Sequence, residues 1–214
     1  MAFFVMPDNC QISIGFMYQQ YFEFKRDGTF VEVGAYNGID FSNTLPLVNV
    51  GWKGVCIEPN PLSFQMLKKN YEPVKENIQF YNIAIGKFDT CTITLDNSIS
   101  TTSQEQLDIF RNAGWTKSPN SVVVSMRRLD DVLEESNIPI EFEVLCVDTE
   151  GTELDVLETF TLEKWLPKIA IIEASEHHPE PGFNRHAKDI NKYFNRLGYE
   201  KRYSDHINNI YFRI

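Results

Sequence analysis

No apolar run in this 214-residue sequence approaches the ~20 residues that would span a bilayer. Cations are scarce as well: 20 Lys and Arg stand against 30 Asp and Glu, for a net charge of −10. Binding to a polyanion needs clustered Lys and Arg. The short basic runs at 126–128 and 67–69 read as solvated ends of secondary elements, so a nucleic-acid partner is not expected. The four cysteines, Cys10, Cys56, Cys91 and Cys146, show no CxxC or Cys/His metal spacing. Cys56 and Cys146 lie inside apolar runs, as buried free thiols do, which suits a reducing compartment. The opening "MAFFVMPDNC" has no basic n-region, so no signal peptide is expected and the expected location is the cytoplasm. The dinucleotide fingerprint G-x-G-x-x-G is missing too, since Ala35 and Tyr36 follow Gly34.

What is present is an alternation of strand-like and helix-like segments. Apolar runs at 29–33, 53–59, 78–85, 142–148 and 168–174 are nearly continuous. Strands of that kind are covered on both faces, as in a parallel sheet between helices. "PLSFQMLKKN", "LDDVLEES" and "TELDVLETF" carry amphipathic helix patterns, the last with Thr149 as expected N-cap. Two alternating segments flank "SDHIN" near the end and predict an antiparallel β-hairpin. The expected fold class is therefore α/β, a mostly parallel sheet closed by that hairpin. Residues 8–27 predict a leading helix with aromatics on one face. Residues 97–120 form a polar insertion too long for a simple connector, a candidate lid carrying Phe110 and Trp115.

The candidate site begins with "FVEVGAYNG". Gly34 and Gly38 would let the first loop turn tightly and let a ligand approach its backbone. Glu32 sits inside the apolar run just before that loop. Either it pairs with a nearby Lys or Arg, or it attracts a cationic ligand such as the ammonium and sulfonium of S-adenosylmethionine (SAM). Glu58 ends the second strand, where an acid can accept both hydrogen bonds of a ribose diol. SAM and NAD share that ribose, so Glu58 points to an adenosine cofactor without choosing one. Asn82, Ile83 and Ala84 end the third strand, either as an adenine wall or as plain core. Asp148, Glu150 and Glu173 close the fourth and fifth strands, followed by Glu176, His177, His178 and Glu180. Glu150 and Glu153 could instead serve a helix N-terminus, and Glu173 could pair with Lys168 or Arg185.

In order, "FVEVGAYNG", "GVCIEPNP", "RRLDDVL", "VLCVDTEGTELDVL" and "PKIAIIEAS" resemble the FkbM-type methyltransferases, over roughly residues 29–175. That family is a branch of the class I SAM-dependent methyltransferases. The resemblance implies one Rossmann-like domain over 1–214, with a seven-stranded sheet whose last strand is antiparallel. It implies O-methylation of a hydroxyl on a small molecule or glycan. Among the residues it would assign, Glu32, Gly34, Ala35, Tyr36, Asn37 and Gly38 hold the methionine end. Glu58 and Pro59 hold the ribose, Asn82, Ile83 and Ala84 the adenine, and Asp148 stands beside the transferring methyl. Glu150, Glu173 and His177 are further candidates for proton transfer, and a divalent metal could serve the same end. Cys146 departs from the family pattern, which usually has a lysine there. The rival readings are a SAM-binding module without catalysis, a nicotinamide oxidoreductase, and an N- or nucleic-acid methyltransferase.

Overall fold

The computed structural model describes residues 14–23, 25–96, 99–116, 120–174, 176–177 and 185–214. Seven strands make the main sheet: β1 (Thr29–Val33), β2 (Lys53–Ile57), β3 (Ile78–Tyr81), β7 (Val144–Val147), β8 (Ile169–Glu173), β9 (Tyr199–Ser204) and β10 (Asn208–Arg213). Their order is β3-β2-β1-β7-β8-β10-β9. The first five are parallel, and β10 lies antiparallel to both β8 and β9. The mostly parallel sheet and the terminal antiparallel hairpin both follow the sequence reading.

β1, β2, β7 and β8 are buried along nearly their whole length because both sheet faces are packed. On one face, Val31, Val55, Leu145 and Ala170 meet α5 (Leu129–Glu135), α6 (Glu153–Leu157) and α8 (Ala187–Asn195). On the other, Phe30, Cys56, Val144 and Ile171 meet α1 (Ile14–Phe22), α2 (Leu45–Asn49) and α3 (Pro61–Asn70). Glu32 belongs to this second face by alternation, in register with Cys56 on one side and Cys146 on the other. α7 (Leu162–Trp165) leads into β8. α3 spans the residues its pattern predicts: Asn60 accepts the Leu62 N–H, Pro61 opens the first turn, and Lys68 and Lys69 sit in the last.

The structure departs from the sequence reading in four places. Residues 78–85 are not one strand. Asn82 donates to the Glu58 and Pro59 carbonyls, which ends β3, and the chain then pairs elsewhere as β4 (Ala84–Ile85). β4, β5 (Thr90–Leu95) and β6 (Asn120–Arg127) form a second sheet in the order β4-β6-β5. The insertion contains a helix, α4 (Gln104–Asn112), started by Ser103 accepting the Gln106 N–H. The N-cap of α6 is Thr152 rather than Thr149, because Glu150 and Gly151 both adopt left-handed φ (56° and 97°) and delay the helix. In α1 the aromatics divide between faces: Tyr18 and Phe22 are buried while Phe16 is exposed. Residues 8–13 of the expected leading helix, along with Cys10, lie outside the described residues, as do 97–98 and 117–119 of the insertion.

Candidate active site

A cavity of about 440 Å³ opens at the C-terminal ends of β1, β2, β7 and β8. Parallel sheets place ligands at this end, where loops leave the strands. Glu32, Glu58, Asp148, Glu150 and Glu173 all line it, though up to 141 residues separate them along the chain. The strand order explains the convergence, since β2, β1, β7 and β8 are consecutive neighbours.

Glu32 is buried, and its partners are hydroxyls: Thr44 Oγ1 donates at 2.7 Å and Ser42 Oγ at 3.4 Å. No Lys or Arg pairs with it among the described residues. Burial pushes its carboxyl up to about 8, against the opposing hydroxyl donors and with help from the charge of Asp148. Glu58 is buried too and accepts the Tyr36 N–H at 2.8 Å and the Asn60 N–H at 2.7 Å, one on each oxygen. Each oxygen keeps acceptor capacity for a ligand hydroxyl. Burial raises Glu58 to about 7.

Asp148, Glu150 and Glu173 each place a carboxylate oxygen within 4.8 Å of the others, close enough to hold one metal ion. Burial and the charge of Asp148 push Glu150 and Glu173 well above the usual carboxylate range. Glu173 also hydrogen-bonds Asp148. The cations the sequence offered to Glu173 are engaged elsewhere: Lys168 binds Glu143, and Arg185 binds Gln106 and the Gly151 carbonyl. Glu150 and Glu153 differ sharply. Glu153 turns back to accept Thr149 N–H, Thr149 Oγ1–H and Gly151 N–H, as a helix-terminus acid does. Glu150 faces the cavity.

Gly34, Ala35, Tyr36, Pro59, Ile83 and Ala84 line the cavity as well. Asn37, Gly38 and Asn82 are not in its wall. Asn37 builds the turn, accepting the Ile39 and Asp40 N–H groups and donating to the Asp40 carboxylate. Gly38 packs under Tyr71, whose hydroxyl donates to its carbonyl at 2.6 Å. Asn82 buttresses the end of β2. His177 is exposed and outside the wall, and His178 and Glu180 lie outside the described residues. Sequence reasoning missed Asp40, Phe41 and Ser42 as lining residues. Their stretch carries no apolar periodicity, although Ser42 two residues before Thr44 is a usable hydroxyl signal.

A mostly parallel sheet in this strand order, closed by an antiparallel hairpin and carrying a cavity at its C-terminal ends, is the class I methyltransferase fold. Residues 32–201 match the methyltransferase FkbM domain, and the chain belongs to that family. Its cofactor is S-adenosyl-L-methionine. None of the curated proteins compared with the chain matches it. Among solved structures, an FkbM methyltransferase from Methylobacillus flagellatus KT superposes with a TM-score of 0.54 at 17% identity. The match covers 87% of this chain and spans 44% of that protein. A Staphylococcus aureus protein assigned provisionally as a caffeoyl-CoA O-methyltransferase superposes at 0.50 and 13% identity, covering 94% and 83% of the two chains. At these identities the likeness is one of fold. No helix among the described residues is long and apolar enough to cross a membrane.

Proposed function

We propose that the protein is an O-methyltransferase that methylates a hydroxyl of a sugar or glycan. The observation that carries this reading is the convergence of Asp148, Glu150 and Glu173 in the cavity wall. A hydroxyl is a poor nucleophile until its proton is withdrawn. Crowding raises Glu150 and Glu173, so the three acids share protons, and a member that is ionised is a stronger base toward that hydroxyl than an isolated carboxylate. The bound cofactor supplies an electrophilic methyl on sulfonium sulfur. Glu58 takes the ribose hydroxyls on its spare lone pairs, and Ile83 and Ala84 flank the adenine. Glu32 faces the cationic methionine end. Asp148 orients the acceptor hydroxyl in line with the methyl, where alignment supplies much of the rate. The all-oxygen triad also suits a hard divalent cation. Trp115, half-exposed in the cavity wall, offers the insertion's ring to a sugar face.

The reading is tested by incubating the protein with methyl-labelled SAM and a panel of sugars, glycans and amines, followed by mass spectrometry. Label on a hydroxyl oxygen supports it. Label only on nitrogen refutes the O-methyl assignment, and SAM binding without turnover on any acceptor would point to a binding module.

A further inference from the structure

The loop 148–152 carries two of the three clustered acids, and its backbone is strained. Glu150 holds φ 56°, a conformation uncommon for a residue with a side chain. Such a conformation persists only when its surroundings over-determine it. Glu153 holds the loop from inside through its N–H groups. From outside, two consecutive carbonyls are held by side chains from distant parts of the chain. Thr101 Oγ1 donates to the Glu150 carbonyl at 2.8 Å. Arg185 Nη2 donates to the Gly151 carbonyl at 3.0 Å, while its Nη1 donates to Gln106 Oε1 at 3.1 Å. Thr101 and Gln106 are fully buried. Thr101 is itself fastened to β5 by paired bonds with Thr94. The base of the insertion and the turn before α8 thus grip one loop together.

We infer that Thr101 and Arg185 are positioning residues: they fix the Glu150–Gly151 peptides so that the Glu150 carboxylate stands beside Asp148 and Glu173. The inference rests on the triad being the proton-accepting end of the site. The geometry asks for a guanidinium, because its planar fork reaches Gln106 and Gly151 at once and an ammonium does not. On this account residues 101–106 form a fixed brace.

The test uses Arg185→Lys and Thr101→Val in the full chain, with the Arg185→Lys/Glu150→Gln double variant. Each single variant is expected to lower kcat about 10–100-fold, the scale of a small misplacement of reacting groups. SAM affinity should stay within two-fold and Tm close to wild type. Arg185→Lys should add nothing in the Glu150→Gln background, since the group it places is already gone. Amide exchange at Thr149 and Gly151 should quicken in both single variants. Unchanged kcat and exchange would overturn the inference. So would additive losses with Glu150→Gln, or losses of kcat and SAM affinity in step. If the wild type methylates no hydroxyl, the functional reading fails while the exchange measurement still judges the brace by itself.

Discussion

A Cβ placed on Gly34 would stand 1.6 Å from the backbone carbonyl oxygen of Asp148. The end of β1 and the end of β7 touch there through backbone alone, with Gly34 at φ 89°. The sequence reading gave this glycine a tight turn and a ligand's approach; the fold adds the close passage of β7 behind it. Both the contact and the conformation exclude a side chain, because a backbone atom has no rotamer to yield.

Gly34→Ala is therefore expected to destabilise the protein by about 3 kcal/mol or more, combining overpacking with a left-handed alanine. Urea unfolding measures it. The same variant should lose SAM binding, because the two strand ends that carry Glu32 and Asp148 must separate. A midpoint within error of wild type would show that the strands part without cost.

SAM binding should depend on pH. Burial holds Glu32 near 8 and Glu58 near 7 in the free protein, so at pH 6 both are mostly protonated. A cationic ligand favours the ionised form, so affinity should rise from pH 6 to pH 8.5. Stability of the free protein should move the other way. The folded pKa values exceed the unfolded ones, the folded state binds more protons in this window, and stability falls as pH rises through 7–8. Titration calorimetry and thermal melts with and without SAM check both signs. Glu32→Gln should flatten the affinity slope; a slope already flat in the wild type would rule out the coupling.

Asp148→Asn keeps the shape and removes a charge from the triad. Because Asp148 orients the acceptor hydroxyl, the substitution should cut kcat by about 100-fold, the scale of lost alignment, with SAM affinity within a few-fold. Treatment with EDTA separates two forms of the site. Activity lost to EDTA and restored by Mg²⁺ or Mn²⁺ assigns the triad to a hard cation; activity indifferent to EDTA leaves the carboxylates as direct base. Near-full turnover of Asp148→Asn would remove Asp148 from the chemistry.

Trp115 is 48% exposed and stacks on the fully buried Phe110 at 5.9 Å and 25°. Phe110 anchors the insertion, and Trp115 lines the cavity. Trp115→Ala should raise the acceptor KM about ten-fold, equivalent to ~1.4 kcal/mol, with little change in Tm. A lower Tm at constant KM would make the ring purely structural.

The sequence by itself determined the sheet, the bounds of α3 and the terminal hairpin. Strands buried on both faces are written as unbroken apolar runs, and a helix opened by Asn60 and Pro61 writes its own start. It also marked the acids at the strand ends, because a carboxylate closing an apolar run, such as Glu32, stands out. It did not separate Glu150 from Glu153, which are three residues apart in one acidic stretch. Only the left-handed turn at 150–151 sends one into the cavity and folds the other back on the loop. Nor did it divide residues 78–85 between two sheets, or show that Thr101 and Arg185 meet over one loop. Local periodicity records how deeply a residue is buried. Which distant residues meet is set by strand order and by the path of the loops, and those are decided only when the whole chain packs.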